Sequence, residues 1–144
     1  MISIRTPVLR RLHRDWESRR AGRDFPARRD FDVLDLHYAI GRLALVDVEQ
    51  SPSLRFRFRL HGTAISQRVG YDMTGKDLED VPFPDVRAAI REHFTDVVGE
   101  RKPAVRMRER QATGDGFISA EVLVLPLAQD GTTIDMLLIG VVFL

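Results

Sequence analysis

The chain has no cysteine, which removes disulfides, thiolate metal sites, iron–sulfur clusters and a thiol nucleophile, and with them any redox clue to compartment. Lysine is scarce too: only Lys76 and Lys102 stand among 22 basic residues. No apolar run reaches the length of a membrane-spanning helix; the longest, "MLLIGVVFL" at 136–144, is less than half of it. The opening "MISIRTPVLRRLHRDW" has no apolar core and no small-residue cleavage site, so no secretory signal is expected and the cytoplasm is the expected compartment. His13, His37, His61 and His93 show neither H-x-x-x-H nor H-E-x-x-H spacing, so no metal site is expected. P-loop, G-x-G-x-x-G and G-x-S-x-G patterns are also missing.

What is present fits one folded domain. A chain of 144 residues, 44% hydrophobic and 30% charged, is long enough for a single core. Net charge is +1, but residues 1–29 carry nine arginines against Asp15, Glu17 and Asp24, and the remainder is net acidic. No nucleic-acid-binding signature accompanies this basic arm, so it is read as a solvated or partner-facing helix. Thr6-Pro7 reads as a helix start, and Val8, Leu9, Leu12 and Trp16 then recur at helical spacing through residues 7–21. That stripe must rest on the domain's own sheet or on the same helix of a second subunit.

From residue 42 the hydrophobic period changes. "RLALVDV" (42–48) and "LRFRFRLHG" (54–62) read as strands, the second alternating Leu54, Phe56, Phe58 and Leu60 against Arg55, Arg57, Arg59 and His61. A glycine-broken stretch, 61–81, follows. A helix then opens at Asp85, buries Val86, Ala89, Ile90, Phe94, Val97 and Val98, and stops at Gly99. Strands at 104–111, 117–127 and 133–144 are joined at Gly114-Asp115-Gly116 and Asp130-Gly131, both hairpin signals. The last strand is apolar on both faces, as suits the middle of a doubly covered sheet.

This order, with "GYDMTGK" contributing Gly70, Tyr71, Gly75 and Lys76, resembles the PAS domain family, in particular the compact bacterial variant often found as a short separate protein. The resemblance implies an α+β fold: a five-stranded antiparallel sheet with short helices and one longer helix on one face, preceded by an N-terminal amphipathic helix. Residues 1–41 would be that helix and its connection, 42–144 the PAS-like domain. It further implies a sensory or regulatory module without enzymatic activity, binding a small ligand or a protein partner in signal transduction, with output through a separate protein. The ligand-facing residues are expected to be Phe56, Phe58, Leu60, Tyr71, Met73, Ile90, Phe94 and Met107, with Thr63, Gln67 and Arg106 as polar contacts.

A homodimer is expected through Val8, Leu9, Leu12 and Trp16. No cofactor is evident. Flavin or coumaryl photochemistry through cysteine is excluded, and haem through His93 is not expected, since His93 is read as a solvated residue off the apolar face. The rival reading is an enzyme or carrier on a curved-sheet cone fold, with helices ahead of most strands.

Overall fold

A strand that alternates Phe and Arg must bury one edge of its pleat, and the computed structural model, which describes residues 2–111 and 117–144, shows how. Five strands form one antiparallel sheet: β1 (Leu43–Glu49), β2 (Arg55–His61), β3 (Ala104–Gln111), β4 (Phe117–Leu127) and β5 (Met136–Phe143), in the order β2-β1-β5-β4-β3. The helices are α1 (Pro7–Arg19), α2 (Thr63–Val69) and α3 (Pro84–Glu100), with 3-10 turns at Arg28–Asp30, Val33–Ala39 and Leu78–Asp80. The five strands are therefore those expected, within a few residues. Because α3 falls between β2 and β3, the helices-first order of the cone-fold alternative is not met.

β5 lies at the centre of the sheet, paired to β1 through Leu43↔Gly140 and to β4 through Leu123↔Gly140. Its residues Leu137 to Val141 are all buried, so both faces need cover. Ile139 and Val141 point toward α2 and α3. Gly140 points the other way, at α1: a Cβ there would come within 2.6 Å of Leu9 and 2.8 Å of Leu12. Alternation with period two puts α1 and α3 on opposite faces. The N-terminal helix thus packs on its own sheet. Leu9, Leu12 and Trp16 are fully or almost fully buried inside one chain, and each contributes about 1.5–3 kcal/mol by burial. This corrects the homodimer expected through Val8, Leu9, Leu12 and Trp16, because three of the four residues have no surface left to offer.

Two polar contacts hold α1 in place. Near its C-terminal end Trp16 Nε1 donates to the carbonyl of Pro126 at 2.8 Å. At its start the buried carboxylate of Glu121 on β4 accepts from the N–H of Arg5 (2.7 Å), the N–H of Thr6 (2.9 Å) and the Thr6 hydroxyl (2.7 Å). A negative group at a helix N-terminus is also favoured by the helix dipole.

The crossover after β2 is broken, as expected, though its glycines differ in role. Gly70 ends α2 at φ +92°, a left-handed conformation that glycine enters freely. Gly62 has an ordinary φ of −57° and is small for a different reason: any Cβ there would overlap the Gly41 carbonyl and lie 2.7 Å from the Leu43 oxygen. Beyond α2 the chain returns along the outer edge of β2. Gly75 N–H donates to Phe58 O (2.8 Å) and Phe58 N–H to Lys76 O (2.9 Å), which closes an otherwise open strand edge.

Two local expectations change. The long helix runs past Gly99, and Arg101 takes the left-handed position instead (φ +57°). The β4–β5 connection is no two-residue hairpin: it spans 128–135, with Asp130 Oδ1 accepting from the N–H groups of Thr132 (2.8 Å) and Thr133 (2.7 Å). The turn read at Gly114-Asp115-Gly116 lies outside the described residues.

The Glu121 clamp makes a prediction about pH. Burial alone would raise the Glu121 carboxyl, but the Arg5 and Thr6 donors outweigh it and hold it below its ordinary 4.5. A depressed carboxyl stabilises the fold above its unfolded value, and that contribution disappears as pH falls through the folded value. Glu121→Ala is expected to cost roughly 2–3 kcal/mol at pH 7 in urea unfolding, and to lose part of the wild-type slope below pH 4.5. An unchanged unfolding midpoint at pH 7 would mean that the clamp does not hold α1.

Candidate functional site

Between the sheet and the α2–α3 layer lies a cavity of about 290 Å³. Its floor is Ala44, Phe58, Ala120, Val122, Ile139 and Val141. One wall is α2 and the following turn, through Ile65, Val69, Tyr71 and Met73; another is α3, through Val86, Ile90 and Phe94. β3 closes the far side with Arg108 and Arg110. Phe94 anchors α3 to the floor, its ring centroid 5.4 Å from that of Phe56 and 6.2 Å from that of Phe58. The space is mostly apolar with a few polar groups at one end, the usual make-up of a small-molecule site.

Of the eight expected ligand-facing residues, the cavity gathers Phe58, Tyr71, Met73, Ile90 and Phe94 by side-chain placement. Phe56 stands behind Phe94 as part of the packing. Leu60 is not in the cavity. A bulge in the β1–β2 ladder pairs Leu45 with Leu60 and Val46 with Phe58, leaving Arg59 unopposed. The one-residue slip turns Leu60 to the α1 face, where it is 45% exposed beside a second groove lined by Leu43, Leu45 and Leu138. The same slip brings His61 to the cavity instead of solvent.

Met107 borders the cavity from β3 but pairs with Glu121, whose carboxylate is on the α1 face. Directly paired residues share a face, so the Met107 side chain points away and is 37% exposed. Of the three expected polar contacts, Gln67 is exposed, Thr63 lines the second groove, and Arg106 is held by Asp96 on α3 (2.6 Å).

The polar end of the cavity is therefore built by residues of which the sequence reading named only Tyr71. His61 Nδ1 lies 2.9 Å from Ser66 Oγ and accepts the Met73 N–H at 3.3 Å, with its ring stacked over Tyr71 (centroids 6.3 Å apart, planes 9° apart). Burial pulls its pKa down against the attraction of Asp72.

His93 is fully buried, which corrects its reading as a solvated histidine. Its Nδ1 accepts from Arg108 Nη2 at 2.9 Å, so Nε2 carries the proton and donates to Ala104 O at 2.9 Å. Neither ring nitrogen is left for a metal. Burial first, and the Arg108 charge second, push its pKa down to about 3. Among the described residues no group of three or more histidine, aspartate or glutamate side chains could hold a metal ion, and no helix is long and apolar enough to cross a membrane.

Comparison with known proteins agrees with this architecture. A family model described as PAS domain matches residues 4–142, almost the whole chain, and this protein belongs to the PAS domain family, whose modules serve sensory signal transduction. Among solved structures it is similar to the LOV protein of Rhodobacter sphaeroides (16% identity, TM-score 0.53), covering 71% of this chain and 58% of that one. It is also similar to a light-oxygen-voltage domain studied with a flavin analogue (11% identity, TM-score 0.56), covering 78% of this chain and 83% of that one. A sensory box sensor histidine kinase from Vibrio cholerae is matched at 18% identity and TM-score 0.49, over 71% of this chain and 81% of that one. The chain thus spans just under three fifths of the first of these. No curated protein matches it.

The neutral His93 also gives a signed expectation. Below pH 6.5 the unfolded chain protonates this histidine while the folded chain does not, so stability falls with pH from 6.5 toward about 3. His13 and His61, also lowered by burial, add to that slope, and Glu121 acts only below 4.5. The difference between wild type and His93→Phe isolates its share, which reaches about 2 kcal/mol between pH 6.5 and 5. Parallel stability curves for the two proteins over that window would contradict the buried neutral assignment.

Proposed function

We propose that this PAS domain is a non-enzymatic, cytoplasmic sensory module that binds a small apolar-to-amphipathic organic molecule in the cavity between sheet and α2–α3, and reports its presence to a separate output protein. The observation that carries this reading is the cavity itself: about 290 Å³ of mostly apolar space, walled on one side by elements too short to be rigid. α2 has two turns, and the segment after it is held largely by the β2 edge. Such elements bury little and open at low cost, so a guest can shift their population. The homodimer belongs to this reading through a surface other than the α1 stripe; Leu34, Ile40 and Leu60 are exposed apolar residues. Neither haem nor a flavin photoadduct is part of it: His93 has both nitrogens engaged, and the chain offers no thiol.

Native mass spectrometry of the purified protein tests the reading, together with thermal shift against small amphipathic compounds. A retained mass or a raised melting temperature is expected for the wild type. Ala120→Phe, which fills the cavity floor, is expected to lose that response while keeping the fold, at an overpacking cost of about 1–3 kcal/mol. A chain that carries no extra mass and melts identically with every compound would remove the cavity as a binding site.

A further inference from the structure

β3 presents three arginines to the same side of the sheet. Arg106, Arg108 and Arg110 pair with Val122, Ala120 and Ile118, all three residues of the cavity lining. Among the described residues only Arg106 of the three has a carboxylate partner, Asp96. Arg108, half-buried, has no acidic group within 4.0 Å among the described residues; of its five N–H donors, one reaches the neutral Nδ1 of His93. The Arg110 guanidinium carbon sits over the Phe83 ring, 3.6 Å from its centroid, and Arg110 likewise has no carboxylate within 4.0 Å among the described residues. Tyr71, stacked on His61 and tilted 48° to the Phe83 ring, feels both guanidinium charges, and its hydroxyl makes no hydrogen bond among the described residues.

A guanidinium partly withdrawn from water without a counter-ion is costly, and a fold needing only structure would favour an apolar residue there. Burial, with Arg106 adding to it, lowers Arg108 to about 10, so it stays cationic at neutral pH. The exposed Asp85 at the start of α3 also acts on Tyr71, without coming within 4.0 Å of either arginine. Glu109 also borders the cavity, but it is exposed and shares the strand parity of Met107, which turns its carboxylate to the opposite face of β3. With Arg106 neutralised by Asp96, Arg108, Arg110 and Asp85 leave the cavity side of β3 with one net positive charge. Across the sheet from β3, the lining at Phe58 on β2 and Ile139 on β5, with Ile65, Ile90 and Phe94 over them, carries no charge.

From this asymmetry we infer that the guest is an amphipathic carboxylic acid, its carboxylate held by Arg108 and Arg110 beside the Tyr71 hydroxyl and its apolar body lying against Phe58, Ile90 and Phe94. A single anionic head matches the single unbalanced positive charge, and guanidinium is the side chain best shaped for a carboxylate. His93 acts as a positioning residue: its Nδ1 fixes the Arg108 fork while its Nε2–H is tied to the Ala104 carbonyl.

The inference rests on the cavity being a binding site, and one experiment separates the two ideas. Octanoate and octan-1-ol, which share a chain and differ in the head, are titrated into ¹⁵N-labelled full chain and followed by amide shifts of β3, α2 and α3. Octanoate is expected to bind roughly tenfold to a hundredfold more tightly, with the excess shrinking as salt rises. Arg108→Met and Arg110→Met are each expected to bring octanoate toward the octan-1-ol affinity without changing the latter. Arg57→Met, an exposed side chain on β2 outside the cavity lining, should leave both unchanged. Equal affinity of the two compounds for the wild type, a comparison that needs no variant, would overturn the carboxylate inference and leave the cavity reading standing. So would a preference that survives Arg110→Met and, where it folds, Arg108→Met. If neither compound perturbs the cavity residues, both ideas fall together.

Discussion

The strand at the middle of the sheet is apolar on both sides, and most of the architecture answers that one constraint. β5 cannot be left with Leu138 and Gly140 facing water any more than with Ile139 and Val141 facing it. A single helical layer covers one face; a second cover is obligatory. α1 supplies it, and the absence of a side chain at Gly140 is what allows Leu9 and Leu12 to approach the strand closely. The buried Glu121 follows from the same need. Once the start of α1 lies on β4, the N–H groups of Arg5 and Thr6 lose water, and a carboxylate from the sheet replaces it.

The class of fold was legible because it depends on periods, and periods are local. Five strands, the long helix and the broken crossover all announce themselves in alternation, spacing and glycine placement. The candidate site was legible only where local period and global register agree. Phe58, Tyr71, Met73, Ile90 and Phe94 sit where apolar patterning puts them. Leu60 and His61 exchange faces because of a bulge defined by pairing with β1, and nothing in "FRFRLHG" itself encodes a partner's register. Met107 was chosen for being apolar, although strand parity groups the three arginines on one face and leaves Met107 on the other. Which of those faces meets the cavity is set by β4.

His93 is a different kind of miss, since its signal was present. Ile90, His93, Phe94 and Val97 fall at i, i+3, i+4 and i+7, the spacing of one helix face, and all four are buried. His93 is read from the sequence as lying off the apolar face, yet adjacent helical residues point only about 100° apart and a buried stripe that wide takes in both His93 and Phe94. The α1 stripe carries the complementary lesson: amphipathic spacing shows that a face is covered and does not say by what. Here the sheet is doubly apolar and part of the same chain, joined to the helix through residues 20–42. The intramolecular partner wins because it requires no second chain to be brought in.

Both covers of the sheet rest on the same two strands, which ties the two faces to each other mechanically. On β4, Ala120 and Val122 line the cavity while Glu121 between them grips the start of α1. On β5, Ile139 and Val141 line the cavity while Gly140 between them receives Leu9 and Leu12. A close-packed strand one residue thick cannot shift on one face without shifting on the other. Any guest large enough to press on Ala120 or Ile139 therefore acts on the seat of α1, whose outer side carries the arginine excess and faces solvent. α1 is thus poorly placed to dimerise by its apolar stripe, and the side it leaves to solvent is its charged one.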